Sequence, residues 1–319
     1  MVVLPLTFPA VNPRVNVLAT NEDLQIRSGV VVKDISLGYS LKVGDEFTLN
    51  QKTDQKVVQT IMGMNQTGNT TYEGTMEMRV TSTESGRIRL EAKMTHLKTH
   101  IRNFLNETML DSDGDTGVPS NKIVRAMMNR AFFLTLSKSG SIEKVENVEN
   151  LWAGLDKLDV ADDEKTKVKA AIGQLINDTS FKNGLGQAFL IYAGKPVQLK
   201  ESWKTESGIP GGFPVASDNV WMLESITSSH AVVNGSGTFR TTDKDQVVAL
   251  PGDLKARVDL SGNQKVNGLA TLKSGLPDKV TVEVQLSGKI LLLAGGMLPI
   301  DVELPTVIET HIDYTFVRK

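Results

Sequence analysis

Residues 72–80 read Tyr-Glu-Gly-Thr-Met-Glu-Met-Arg-Val, and apolar or small residues alternate there with polar ones at a period of two. Residues 87–94, Arg-Ile-Arg-Leu-Glu-Ala-Lys-Met, repeat the alternation, which returns at residues 280–286 and 308–316. A strand turns successive side chains to opposite faces, so each stretch predicts a strand with one buried and one solvated face. We therefore predict a mainly β (α+β) fold with long antiparallel, strongly curved sheets.

In the middle of the chain the period changes from two to three and four. Apolar residues recur at helical spacing from Val148 to Leu158 and from Val168 to Ile176. A third helix is predicted for residues 181–192. The chain thus contains a helical insert at about 147–192.

The domain organisation follows from the position of this insert. We expect one β-rich unit, with an N-terminal β meander at residues 1–146, the insert at 147–194 and a C-terminal β meander at 195–319. The loop at residues 208–214, Gly-Ile-Pro-Gly-Gly-Phe-Pro, is the best boundary between the two β halves. Besides the long strands of the first meander, the sequence predicts two short strands within 14–35 and a hairpin of 131–136 and 142–145. Further strands are predicted at 219–226, 229–240, 255–260, 264–273, 279–293 and 306–317.

The composition limits the class of protein. The chain has 319 residues, of which 40% are hydrophobic and 23% charged, as in globular proteins. Its net charge of −2 argues against nucleic-acid binding, which needs a concentrated basic face. Because it has no cysteine, thiol catalysis, thiolate metal sites and disulfides are excluded.

The start of the chain is apolar but short. Residues 1–10 have no basic region and are interrupted by Pro5 and Pro9. We expect neither a signal peptide nor a membrane span there, and we interpret the start as that of a mature or truncated chain.

Three short motifs follow the order found in penicillin-recognising serine enzymes. Ser141-Ile-Glu-Lys fits the first, Ser217-Asp-Asn the second, and Lys273-Ser-Gly resembles the third. In those enzymes the serine opens a helix, whereas Ser141 falls in a predicted hairpin turn, and the spacings also differ. No catalytic motif survives, so we expect a protein without enzymatic activity.

An acidic loop offers oxygen ligands to a cation. Asp111, Asp113 and Asp115 stand at alternate positions, a spacing at which carboxylates can converge on calcium. However, the turn glycine falls one place late, and Lys122 stands where a calcium loop has its bidentate glutamate. A solvated acidic loop is the alternative, and calcium is the one cofactor that the sequence suggests.

A hydrolase with unrecognised residues is a third hypothesis for the function. The residues to nominate are Asp111, Asp113, His96 and His100. The two histidines are four apart on a predicted strand without an adjacent glutamate, so they do not form a zinc-protease motif.

Methionines cluster in the N-terminal half. Met76, Met78 and Met94 lie on the apolar face of the predicted sheet, and Trp152 lies in the helical insert. Curved sheets backed by helices can leave apolar clefts, and methionine is an adaptable lining residue. The leading hypothesis is a cleft between sheet and helices, lined by these four residues, that binds an apolar small molecule or lipid. The alternative is core packing, with Trp152 as an anchor for the insert.

A second hypothesis, of a different class, is a structural or protein-interaction module of the bacterial envelope. It predicts a filled core and an exposed apolar patch near residues 291–298 that docks a protein partner.

Several stretches also carry a family resemblance. They are Leu41-Lys-Val-Gly-Asp-Glu-Phe47, Gln59-Thr-Ile-Met-Gly63, Leu110-Asp-Ser-Asp113, Phe133-Leu-Thr-Leu-Ser-Lys-Ser-Gly-Ser-Ile-Glu-Lys-Val145, and Lys195-Pro-Val197 followed by Glu201-Ser-Trp203. Over about residues 40–290 the chain resembles an uncharacterised family of bacterial exported proteins and lipoproteins, a domain of unknown function. The resemblance implies an extracytoplasmic location, periplasmic or outward-facing in the envelope, and carries no catalytic residue across. The chain departs from the family pattern at residues 200–201, where Gly-Asp is expected, and it has no lipobox cysteine.

Overall fold

The structure is a computed structural model that describes residues 14–16, 34–102, 107–173, 176–207, 214–250, 254–295 and 298–319. Its strands are β1 Arg14–Asn16, β2 Glu46–Ile61, β3 Met64–Ser82, β4 Arg87–Arg102, β5 Glu107–Asp111, β6 Ala131–Ser137, β7 Ile142–Glu146, β8 Ser202–Ser207, β9 Val215–Ile226, β10 His230–Thr241, β11 Val248–Leu250, β12 Leu254–Thr271, β13 Pro277–Leu292 and β14 Val302–Arg318. Its helices are α1 Pro119–Met127, α2 Asp162–Ile172 and α3 Asp178–Gly186, and two 3₁₀ turns span Val148–Trp152 and Leu155–Lys157.

All fourteen strands belong to one antiparallel sheet, which confirms the predicted mainly β fold. Twelve of them follow one another in the order β1-β8-β9-β10-β12-β13-β14-β2-β3-β4-β6-β7, while β11 pairs with β12 and β5 with β4. The last strand, β14, pairs with β2 over thirteen residue pairs in the interior of this order. The strands before and after the insert therefore form a single continuous sheet.

Apolar and polar residues alternate along the long strands, and the apolar ones form the buried face of the sheet. In β4, Ile88, Leu90 and Met94 are buried, whereas Arg87 on the opposite face is exposed. The apolar side chains of β2, β3, β13 and β14 belong to the same core. Burial of this continuous apolar face is the main stabilising contribution to the fold.

The helical insert is confirmed as a region, but two of its elements differ from the prediction. Val148–Trp152 and Leu155–Lys157 form 3₁₀ turns instead of one α-helix, because the extended backbone of Ala153 ends the first turn and Gly154, with a φ of 90°, precedes the second. The helix predicted at 181–192 ends at Gly186. Residues 188–193 are buried along their whole length without helical structure, so they have no solvated face of the kind an amphipathic helix needs.

Two further elements were not foreseen. The helix α1 begins at Pro119 within a stretch that its composition makes loop-like; Pro is favourable in a first helical turn, and Ile123, Val124 and Met127 are buried at helical spacing. The strands predicted at 255–260 and 264–273 are one strand, β12, because residues 261–263 pair with β10 on one side and β13 on the other.

A row of mostly polar residues, called the polar row below, crosses the buried face of the sheet. By register it consists of Thr70, Gln55, Thr310, Val284, Gln264, Gly237, Asn219 and Thr205, one from each of eight neighbouring strands. The Gln55 amide donates to Thr310 Oγ1 at 3.1 Å, and the Gln264 amide donates to Asn219 Oδ1. These buried polar groups are thus satisfied by one another across strands.

The insert packs on one side of this row. The Tyr314 hydroxyl donates to the Gly184 carbonyl at 3.0 Å, and the Leu190 side chain occupies the space above Gly268. The loop predicted as a boundary at 208–214 lies outside the described residues except for Pro214, as do most of residues 14–35.

Candidate functional site

Residues 34–41, called the strap below, connect three separate parts of the chain. Their backbone hydrogen bonds run from Ile35 N to Val197 O and from Val197 N to Ile35 O at 2.9 Å each, from Tyr39 N to Lys138 O at 2.9 Å, and from Ser40 N to Ser274 O at 2.8 Å. The strap thus meets the β6–β7 turn, the β12–β13 turn and the segment that follows the helical insert.

The two turns that hold the strap have the same tripeptide. Residues 138–140 and residues 273–275 both read Lys-Ser-Gly. The first glycine has a φ of +99° and the second a φ of +67°, a region that glycine enters at little cost. A Cβ on the first would overlap the Leu190 carbonyl oxygen, and one on the second would overlap the Gly38 carbonyl oxygen. Both turns therefore require glycine for conformation and for space.

Tyr39 of the strap packs against two other aromatic residues, Phe189 and Tyr192. The Tyr39 ring is buried, with its centroid 5.3 Å from that of Tyr192 and 5.9 Å from that of Phe189. Its hydroxyl donates to the Leu190 carbonyl at 3.3 Å, and the Tyr192 hydroxyl donates to the Gly275 carbonyl. Burial raises the pKa of Tyr39 well above its usual value, so this phenol is neutral at physiological pH.

A cleft of about 530 Å³ lies at the strap. Its lining contains three cations, several hydroxyl groups and apolar side chains, and among the described residues that line it there is no carboxylate: Ser36, Leu37, Gly38, Tyr39, Ser40, Leu41, Thr83, Arg87, Ile88, Lys138, Ser139, Gly194, Lys195 and Pro196. Concave sites of mixed apolar and polar lining, with volumes of roughly 300–1,000 Å³, are typical of small-molecule binding.

The three cations differ in their partners. Arg87 forms an ion pair with Glu143, and Lys195 Nζ lies 3.1 Å from Glu201 Oε1. Lys138 makes no ion pair with any residue that the structure describes. All three cationic residues are exposed, so positive charge lies at the rim of the cleft.

Two other cavities have a different character. One of about 690 Å³ is framed by three consecutive residues from each of β3, β2, β14 and β13: residues 69–71, 54–56, 309–311 and 283–285. Since Gln55, Thr310 and Val284 are almost fully buried, this cavity opens on the exposed face, between charged side chains of both signs. The other, of about 150 Å³, is lined mainly by charged residues around Phe47 and Met78.

The four residues predicted to line an apolar cleft lie in or against the core. Met76, Met78 and Met94 are buried in it, and Trp152 is half-buried, with its indole Nε1 donating to the Ile176 carbonyl at 3.3 Å. Of these four, Met78 lines the 150 Å³ cavity, and none lines the cleft at the strap as the described residues define it. Their role in ligand binding stays a prediction.

The acidic loop brings together two of its three predicted carboxylates and a histidine. His96 Nδ1 lies 2.8 Å from Asp113 Oδ2, and one ligand atom from each of His96, Asp111 and Asp113 can lie within 4.8 Å of the others. Asp115 turns away and accepts from the Gly117 amide at 2.8 Å.

A lysine of β4 already pairs with one carboxylate of this loop. Lys98 Nζ lies 3.2 Å from Asp111 Oδ2. Partial burial raises the pKa of Asp111, but the hydrogen bond from the Asp113 amide and the neighbouring Lys98 hold it below its usual value. His100, nominated with this group, instead contacts Glu107 at 2.6 Å. The calcium site stays a prediction.

The three serine-enzyme motifs lie in different elements. Ser141 directly precedes β7, and its backbone amide donates to Ser137 Oγ at 3.1 Å. Lys144 forms an ion pair of 2.6 Å with Glu146. The second motif lies within β9 and the third in the β12–β13 turn.

The strap and the cleft were not predicted from the sequence. The one sequence signal for them is the repeated Lys-Ser-Gly, since each copy is the turn on which the strap rests. The residues that complete the site come from widely separated positions, and no local pattern connects them.

Among the described residues, no helix has the length and hydropathy needed to cross a bilayer. Solved structures show only distant likeness. The chain matches a lipovitellin structure, reported for its lipid–protein interactions, at a TM-score of 0.47 and 10% identity over 87% of this chain and 25% of that chain. It thus spans about a quarter of the lipovitellin chain.

Two bacterial proteins match at lower scores. An outer membrane channel of Pseudomonas putida F1 matches at a TM-score of 0.28 and 6% identity, over 88% of this chain and 98% of that one. OpdQ of Pseudomonas aeruginosa matches at a TM-score of 0.22 and 6% identity, over 86% of this chain and 100% of that one. Likenesses of this size do not assign a function.

Sequence comparison is more informative. No curated protein matches the chain. The profile of a family of unknown function, DUF6263, matches residues 85–277, which is more than half of the chain and includes both Lys-Ser-Gly turns. The chain therefore belongs to the family of unknown function DUF6263.

Proposed function

We propose that this protein is a non-enzymatic binding protein that holds a small amphipathic molecule in the cleft at the strap. The observation that carries this proposal is the lining of the 530 Å³ cleft, where Leu37, Leu41 and Ile88 stand beside hydroxyl groups and cations. Apolar side chains provide affinity through burial, and a few polar groups orient the ligand. The ligand is thus amphipathic, unlike the purely apolar molecule that the methionine cluster suggests.

The titratable groups of the cleft favour binding over catalysis. The described lining residues that ionise are Tyr39, Arg87, Lys138 and Lys195. A general base must exchange a proton near the operating pH, and this lining has neither a carboxylate nor a histidine to do so. Tyr39 is held neutral by burial and engaged with a backbone carbonyl. These features support a protein that retains its ligand unchanged.

We further propose an extracytoplasmic location, periplasmic or outward-facing in the envelope. Its support is the resemblance to exported proteins. Immunoblotting of cytoplasmic and extracytoplasmic fractions of the source cells tests it, and recovery of the protein with cytoplasmic markers would overturn it.

Native mass spectrometry of the purified chain tests the binding proposal, followed by organic extraction and identification of any bound molecule. We expect an added mass that is retained in the native state and lost on denaturation.

A matched pair of variants locates the site. Ser40 lines the cleft and is exposed, so Ser40→Trp fills the cleft without disturbing the core. Ser228, exposed in the β9–β10 turn, provides the control Ser228→Trp. We expect the added mass to disappear in Ser40→Trp and to persist in Ser228→Trp. Equal retention in both variants would place the ligand elsewhere and refute the proposal.

A further inference from the structure

Resting on the proposed function, we infer that the polar end of the ligand is an anion, such as a carboxylate or phosphate, held by Lys138 with Arg87 and Lys195. The class of ligand is thus an amphipathic acid rather than a neutral lipid.

The charged residues that line the cleft are all positive, among the residues that the structure describes. Three cations line the cleft and no carboxylate does, among the described residues. The whole chain has a net charge of −2, so this concentration of positive charge stands against an acidic background. A concave surface lined by one sign of charge focuses its field and attracts ligands of the opposite sign.

The partners of the cations leave them available. Glu143 and Glu201 pair with Arg87 and Lys195, and neither of these two acids lines the cleft. The side chains of Arg87 and Lys195 are 61% and 42% exposed, and ion pairs at this exposure contribute little to stability. An anion in the cleft can therefore share these cations, while Lys138 has no competing carboxylate among the described residues.

Hydroxyl groups complete an anion-binding set. Ser36, Ser40, Thr83 and Ser139 line the same cleft, and each hydroxyl can donate one hydrogen bond to an anionic oxygen. Hydrogen bonds to an ionised acceptor are stronger than those between neutral groups. The apolar lining, Leu37, Leu41 and Ile88, then covers the hydrophobic part of the ligand.

The test compares four probes by isothermal titration calorimetry on the full chain at pH 7. They are decyl phosphate, decanoate, decanol and inorganic phosphate, all below the concentration at which micelles form. We expect decyl phosphate and decanoate to bind at least tenfold more tightly than decanol, and their affinity to fall as salt is raised.

The two Lys-Ser-Gly turns supply matched variants. Lys138→Glu and Lys273→Glu make the same change at the same position of the tripeptide, but only Lys138 lines the cleft. We expect Lys138→Glu to weaken decyl phosphate binding at least tenfold and to leave decanol binding unchanged. Lys273→Glu should behave like the unsubstituted protein, and circular dichroism of both variants confirms that they are folded.

The outcomes separate the two proposals. Equal affinity for decanol and decyl phosphate, unchanged in Lys138→Glu but lost in Ser40→Trp, would overturn the anion and leave the binding function intact. Inorganic phosphate binding as tightly as decyl phosphate, and lost in Lys138→Glu, would support the anion and overturn the amphipathic ligand. No Ser40→Trp-sensitive binding of any probe, together with no co-purified molecule, would overturn both.

Discussion

The two Lys-Ser-Gly turns are identical in sequence but differ in what their side chains contact. Each places its glycine at positive φ, and each accepts a backbone hydrogen bond from the strap. In the β6–β7 turn, both Lys138 and Ser139 line the cleft. In the β12–β13 turn Ser274 is buried, and its hydroxyl contacts Thr271 Oγ1 at 2.6 Å. The tripeptide thus determines the shape of the turn, and the surrounding chain determines whether its side chains are available to a ligand.

The largest effect on stability is expected from adding a methyl group to the glycine of either Lys-Ser-Gly turn. Gly140→Ala and Gly275→Ala each combine a left-handed backbone with overlap against a carbonyl oxygen. We expect each to lower the free energy of unfolding by about 3 kcal/mol, from strain and overpacking together. Urea denaturation measures the change.

Gly44→Ala is the control for these two variants. Gly44 has a φ of +91° but open space around its Cβ position. Gly44→Ala should therefore lower the free energy of unfolding only by the cost of the left-handed backbone, about 1–2 kcal/mol. A loss at Gly140 or Gly275 no greater than at Gly44 would show that the strap is not clamped at that turn.

Alkaline pH should destabilise the fold through its buried tyrosines, two of which, Tyr39 and Tyr192, hold the strap and its turns. Burial raises the pKa of Tyr72 to about 12, and it raises the pKa of Tyr39, Tyr192 and Tyr314 as well. In the unfolded chain these phenols ionise near pH 10, so above that pH the unfolded state releases protons first. Stability is therefore complete below pH 10 and falls as the pH rises toward and beyond 12.

Absorbance at 295 nm, followed with circular dichroism during an alkaline titration, measures this effect. Because the chain has four tyrosines and all four are shifted, tyrosinate should appear only as the protein unfolds. Reversible ionisation of a tyrosine near pH 10 in the folded protein would contradict the burial of that tyrosine.

Removing one tyrosine hydroxyl at a time tests the contact at each turn separately, with a smaller expected loss of stability. Tyr192→Phe deletes the hydrogen bond to the Gly275 carbonyl, and Tyr39→Phe deletes the one to the Leu190 carbonyl beside Gly140. Each should lower the free energy of unfolding by about 1 kcal/mol, since a buried carbonyl loses its partner. Thermal denaturation at pH 7 is the measurement, and a variant as stable as the unsubstituted protein would show that its hydrogen bond is replaced or unimportant.

The smallest effect on stability is expected from the lysines. Lys138→Ala and Lys273→Ala replace exposed side chains, and each should change the free energy of unfolding by less than about 0.5 kcal/mol. Urea denaturation of the two variants should give indistinguishable midpoints. A clear loss in Lys138→Ala alone would assign that lysine a structural role instead of a binding one.

Local patterns account for the parts of this fold that were predictable. The period of two along β3 and β4 fixes which side chains face the core, and it predicts long antiparallel strands without any knowledge of their neighbours. The prediction failed where local and tertiary preferences conflict. Residues 188–192 belong to a predicted helix but are buried, and residues 261–263 look like a turn but are paired on both edges.

The sequence by itself determined the mainly β class, the position of the helical insert and the glycines of the two turns, because each depends on neighbours along the chain. The polar row and the cleft were decided by tertiary structure. Thr310 meets Gln55 across 255 positions, and the strap meets Ser274 across more than 230. Charges as distant as Arg87 and Lys195 form one rim only after the sheet brings their strands and loops together, since a binding site depends on distances in space that no local spacing encodes.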